Sequence, residues 1–258
     1  LFRSGNSAYA QAISATQLSF SGYGGAIAIA AANATDEINI SGVTFTGNKV
    51  YKDLYNSSTS TMGYHVVGGS GGAIYSSKGK LNITDSTLTL NEAGTGGAIY
   101  AGSNTTAVID NSSLTYNKSG VGNTTYVQGN SGGGGAIYNI GNLTIKNGSH
   151  IDNNEAVKSQ GGGIFNALAT SVLTINNSTV SNNQAVDGSG IYLNKGTLNV
   201  TNGSHIDNNI GYSATGSGGT NNAKGGGIYN QAGSFTIDGN SVLSGNQAYY
   251  GGGIYTES

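Results

Sequence analysis

Few residues in this chain have the type and spacing that chemistry requires. Two serines satisfy Gly-x-Ser-x-Gly: Ser70 between Gly68 and Gly72, and Ser131 between Gly129 and Gly133. A nucleophilic serine in that pattern sits on a strand-to-helix turn with a histidine base and an orienting acid. No helix is expected near either serine, so both read as flexible glycine-rich corners. The octapeptide NGSHIDNN stands at 147–154 and again at 202–209, which puts His150 and His205, and likewise Asp152 and Asp207, at matching positions. If matching positions stack at strand spacing with Thr179 and Ser181 between them, each pair lies about 10 Å apart. That is too far for two ligands of one metal ion. For two carboxylates it is the upper end of the separation in an inverting glycosidase. No basic residue recurs beside these aspartates, so the expectation is no catalytic site, no metal and no cofactor, with a secreted carbohydrate-active enzyme, a polysaccharide lyase or hydrolase using Asp152 and Asp207, as the alternative.

The elements that would position these residues follow from composition. Among 258 residues there are 45 glycines and no proline, cysteine or tryptophan, and 9% are charged. Such a chain is too poor in Lys, Glu, Leu and Ala for a helical protein, yet its regularly spaced Ile, Val and Leu are too many for disorder. The expectation is all-β. Scattered single charges sum to −2, so no basic stripe exists to hold nucleic acid. No apolar run approaches the ~18 residues of a membrane-spanning helix.

Repetition is the strongest signal. Glycines run into an isoleucine at Ile27, Ile74, Ile99, Ile137, Ile164, Ile191, Ile228 and Ile254, with spacings of 47, 25, 38, 27, 27, 37 and 26 residues. A second apolar pair follows in each unit, such as Leu143-Thr144-Ile145 or Leu173-Thr174-Ile175; a third segment places an apolar residue three before an asparagine, as in Phe45 to Asn48 and Val180 to Asn183. Insertions at 51–70, 121–132 and 211–224 all fall between the third segment and the next glycines. Three short strands per unit, no helix between them and one corner free to carry loops predict a single parallel β-helix domain over residues 1–258. It has about eight coils, each burying its apolar face only on its neighbours; right-handed winding is expected because right-handed crossovers dominate parallel β connections.

In this arrangement Ile points inward and the next residue outward. That predicts an outward aromatic column of Tyr75, Tyr100, Tyr138, Phe165, Tyr192, Tyr229 and Tyr255, the candidate ligand or partner surface, suited to sugar rings or a protein partner. The residue after it, often asparagine (Asn139, Asn166, Asn230), returns inward, where it can hydrogen-bond to its counterpart one coil away.

The Gly-Gly-Ala-Ile motif, paired with Phe-x-x-Asn or its Leu, Ile and Val variants, resembles the repeats of chlamydial polymorphic membrane proteins and, more broadly, autotransporter passenger domains and bacterial surface β-helix adhesins. The resemblance implies secretion across an outer membrane and adhesion at the cell surface, usually through a separate C-terminal barrel that the sequence does not include. The expected function is a non-enzymatic, extracellular structural or adhesive β-helix. Its expected partners are a receptor or glycan on a host or neighbouring cell, or further copies of itself end to end. A plain sugar-binding module using the tyrosines shares the fold. The opening at Leu1 without a charged and apolar leader, and the partial first and last units, suggest either a piece of a longer precursor or coils completed by the next copy in a filament. Asn-x-Ser/Thr sites recur, Asn33, Asn82, Asn111 and Asn147 among them, and would matter only where asparagine-linked glycosylation operates.

Overall fold

A computed structural model describes residues 7–8, 20–21, 23–56, 61–67, 69–120, 132–212 and 222–257. The Asn-x-Ser/Thr site at Asn123, Ser131, the stretch 10–19 and much of the insertions at 121–132 and 211–224 lie outside these residues. The described chain is all β, its strands mostly parallel and arranged in several sheets. The strands of the three core segments pair in parallel and in register with their counterparts one repeat later. Ile27, Ile74, Ile99, Ile137, Ile164, Ile191, Ile228 and Ile254 form one unbroken register column. The second segments stack likewise through Ile38, Leu81, Ala107, Leu143, Leu173, Leu198 and Phe235. The third stack through Phe45, Leu88, Leu114, Ile151, Val180, Ile206 and Leu243.

The inward members of these columns pack into one apolar cluster, with Ile74, Leu81, Leu88, Ile137, Ile151 and Val180 fully buried. Removing such a side chain from water contributes about 1.5–3 kcal/mol. No single unit could bury its own, because the neighbours above and below supply the covering atoms.

Three features depart from the sequence reading. In two units the first and second strands run on as one, Ile74–Thr84 and Ile99–Asp110, so that both columns belong to a single 13-stranded sheet. A fourth column of two-residue strands follows the asparagine: Lys118–Ser119, Glu155–Ala156, Gln184–Ala185 and Ile210–Gly211. The insertion after Asn48 is no plain loop, since Lys49–Asn56 pairs antiparallel with Thr61–Val67.

The repeated glycines have two separate causes. Gly71 stands at φ 70°, the left-handed region, which other residues enter at a cost of about 1–2 kcal/mol. At Gly72 the reason is proximity: a Cβ there would lie 2.0 Å from the Gly97 carbonyl oxygen of the next unit. Backbones stack too closely at this corner for any side chain.

Candidate functional site

The interior polar columns hold the outer surfaces in place. The asparagines ending the third segments are linked one to the next, and all but the half-buried Asn246 are buried. Nδ2 and the backbone N–H of Asn154 both donate to Oδ1 of Asn183, at 3.0 and 2.9 Å, while its Oδ1 accepts the same pair from Asn117 at 3.0 and 2.9 Å. This pattern runs unbroken through Asn48, Asn91, Asn117, Asn154, Asn183, Asn209 and Asn246. The expected ladder at Asn139, Asn166 and Asn230 is only partial. Asn139 donates to Asn166 at 2.7 Å, but Asn166 turns to the Lys195 carbonyl because Leu193 occupies the next rung. A serine column was not foreseen. Ser86, Ser112, Ser204 and Ser241 accept from the backbone N–H of Val43, Ser86, Ser178 and Ser204 respectively, and Ser112 N–H donates to Ser149. Its signal was present in the sequence: a serine stands two residues before the central apolar residue of six third segments.

The aromatic column forms, with successive ring centroids 4.5–5.6 Å apart from Tyr23 through Tyr75, Tyr100, Tyr138, Phe165, Tyr192, Tyr229 and Tyr255. Much of this expected outward surface is covered. Phe165 is 5% exposed and Tyr192 and Tyr229 are fully buried, while Tyr75, Tyr100, Tyr138 and Tyr255 are half-buried. The column has its own small apolar cluster with Ala167 and Ile140. From Tyr75 to Tyr255 the rings are nearly parallel, interplanar angles running from 4° to 22°. Faces inside the column are therefore covered by neighbouring rings, and only edges are left there for a ligand. Burial pushes the Tyr100 phenol up to about 12 and raises those of Tyr75 and Tyr138. Lys224 lies over the Tyr255 ring at 5.2 Å and pairs with Glu257 at 2.9 Å.

The histidine and aspartate face is a set of ties between units. Oδ1 of Asp152 accepts from Ser181 Oγ at 2.7 Å and from its backbone N–H at 3.1 Å; Asp207 does the same with Ser244, at 2.8 and 3.0 Å. His205 Nδ1 lies 3.1 Å from Asp207, and His150 Nδ1 lies 2.9 Å from Thr179 Oγ1. Thr179 separates the two histidines in register. These carboxylates are engaged along the stack rather than aimed at a shared space. Ser70 likewise lies in a corner, bridged in parallel to Tyr23 and Thr95, with its carbonyl accepting from Gly24 N–H at 3.0 Å.

Two surface columns remain. The residue after each ladder asparagine aligns as Lys49, Glu92, Lys118 and Glu155, with Lys49–Glu92 at 3.0 Å and Lys118–Glu155 at 2.9 Å. The residue before the asparagine always has positive φ: Gly47, Leu90, Tyr116, Asn153, Asn182, Asn208 and Gly245. Among the described residues no helix is long and apolar enough to cross a membrane.

The repeat of the Chlamydia polymorphic membrane protein family matches the chain twice, at residues 42–77 and at 234–257. Each match joins a third segment or second strand to a glycine corner, the two motifs on which the resemblance was drawn. No curated protein and no solved structure matches the chain.

Proposed function

We propose that this chain is a right-handed parallel β-helix of about eight coils, with three main strands per coil. It acts without catalysis as an adhesive rod on the outside of a cell. The observation that carries the reading is the register: every core strand pairs in parallel with the same position one repeat on. A polymorphic membrane protein repeat at two places along that stack supports surface exposure. A rod of eight coils at ~4.8 Å spacing would be about 38 Å long, a rigid scaffold whose outer columns can differ from coil to coil. The engagement of Asp152 and Asp207 by serines one coil on supports a non-catalytic role for that face. Partners of this kind of surface are a receptor or glycan on another cell, or further copies of the chain.

Beads coated with the purified chain test this reading. Saturable attachment to cultured epithelial cells, displaced by soluble chain, is expected. Attachment equal to that of albumin-coated beads would overturn the adhesive role.

A further inference from the structure

The corner after the third strand separates two classes of coil. Gly or Asn fills it in five coils, as the left-handed backbone favours. The two exceptions are neighbours: Leu90 at φ 59° and Tyr116 at φ 57°, each 55% exposed. A bulky residue there is strained, and one left half in water does not repay the strain by packing. Leu90 N–H donates to the Thr115 carbonyl at 3.2 Å, so the two side chains start from adjacent rungs. Unlike the column tyrosines, Tyr116 stacks on no other ring among the described residues.

The same two coils differ from their neighbours across the rest of the face. Their outward positions are all hydroxyls, Thr87 and Thr89 in register with Ser113 and Thr115, whereas the following coil carries His150 and Asp152. At the opposite edge Asp85 (φ 49°) and Asn111 (φ 45°) stand exposed and joined, Asn111 Nδ2 donating to Asp85 Oδ1 at 2.6 Å. This edge borders an open groove that continues to His150. The cations at the tyrosine end, Lys49 and Lys118, are each paired with a glutamate, and Lys146 beside the far end is paired with Asp110. From Asp85 to Leu90 the face runs five residues, at most roughly 16 Å at strand rise because both ends stand in left-handed turns, room for about two to three sugar rings.

We propose that this two-coil face binds a short neutral oligosaccharide. The exposed Tyr116 ring offers a face to sugar C–H groups, and Leu90 widens that apolar edge. Thr89, Thr115 and Ser113 meet hydroxyls along the middle, and the Asp85–Asn111 pair takes a hydroxyl pair at the far end, as carboxylates and amides do. Paired lysines leave no net positive field to select a sulfated or phosphorylated ligand. The proposal deepens the adhesive reading and rests on it for its biological setting.

The test uses the whole chain, titrated by calorimetry with cellotriose, chitotriose, maltotriose and the blood-group H trisaccharide, and with a heparin-derived tetrasaccharide as the charged probe. Binding of at least one neutral trisaccharide is expected. Tyr116→Asn should weaken it about tenfold or more and Tyr116→Phe by less than about threefold, as loss or retention of a stacking ring predicts. Asn already occupies this corner in three coils, so Tyr116→Asn and Leu90→Asn should keep or raise Tm. The site is overturned if no neutral trisaccharide binds, if Tyr116→Asn binds like the parent, if the heparin fragment binds more tightly, or if Tyr116→Asn lowers Tm. Glycan binding by a chain whose beads fail to attach to cells would overturn the adhesive reading alone and leave this site standing.

Discussion

Asn154→Ala tests whether the amide column holds the stack together. Asn154 is 1% exposed and sits mid-ladder. Its removal leaves the buried N–H of Asn117 without its acceptor at 2.9 Å, and takes with it the amide bonds to Asn117, Asn183 and the Leu114 carbonyl. The Asn154 backbone N–H keeps Asn183 Oδ1, and Asn117 Nδ2 keeps the Leu88 carbonyl. One orphaned buried donor costs about 1–3 kcal/mol and each further lost bond about 0.5–1.5 kcal/mol, so the expected loss is about 3–6 kcal/mol. Asn246, half-buried at the last described rung, is within reach of water, and Asn246→Ala should cost about 1–2 kcal/mol.

Urea unfolding followed by circular dichroism reads both. A loss for Asn154→Ala no larger than that of the exposed Asn142→Ala would refute the reasoning and leave the apolar columns as the only glue. The isosteric Asn154→Asp sharpens the test. It keeps the acceptors but places a carboxylate against Asn183 Oδ1 and the Leu114 carbonyl, where burial and missing donors raise its pKa. The folded state then binds the proton more readily than the unfolded chain, so this variant should regain stability as pH falls through the raised value.

Three further outcomes follow from the geometry. Gly72→Ala should destabilise by about 3 kcal/mol or more, because its Cβ meets fixed backbone, whereas Gly42→Ala, at φ 65° with nothing within 4 Å, should cost only the left-handed penalty of about 1–2 kcal/mol; thermal melts compare them. Tyr100, pushed up to about 12 by burial, holds its proton longer folded than unfolded, so its contribution is full below the ordinary tyrosine range and lost as pH rises through 12; phenolate absorbance and stability between pH 9 and 12 should show a shallower alkaline loss for Tyr100→Phe. The amide of Asn147 at 2.8 Å, aided by Lys146 at 3.1 Å, holds the Asp110 carboxyl below its ordinary value. Its contribution is present above the unfolded carboxylate range and lost as pH falls through the folded value, so Asp110→Asn should flatten part of the acid side of the stability curve.

The all-β, mostly parallel pairing was legible because its period is written in recurring inward residues. The Ile after the glycines and the Asn after the third strand recur since each meets its own kind one repeat away, and the spacing between them located the corners. The fourth column is not legible by alternation because a two-residue strand is too short to show any. Its signal was the charge order of Lys49, Glu92, Lys118 and Glu155, each directly after a ladder asparagine. The aromatic column was legible as a column but not as a buried one. Alternation says which side of a strand Tyr192 leaves from; whether anything covers that side depends on contacts such as that of its hydroxyl with Gln231 at 2.7 Å, 39 residues away.

Inside and outside this stack obey different rules, and that difference points to where function can reside. An inward amide has no water, so the amide one rung away and nearby backbone carbonyls must satisfy it, and substitution at one rung harms two others. An outward residue can be satisfied by solvent, so neighbouring repeats are free to differ there. Repetition on the outside therefore calls for little explanation beyond ion pairing or edge shielding. A departure on the outside that also works against the backbone is different. Leu90 and Tyr116 carry the left-handed strain that Asn or Gly would relieve, and they gain little burial in return. Relieving it should stabilise each coil by about 0.5–1 kcal/mol. A gain of that size in Leu90→Asn and Tyr116→Asn would mean the parent residues are held at that corner by something other than folding.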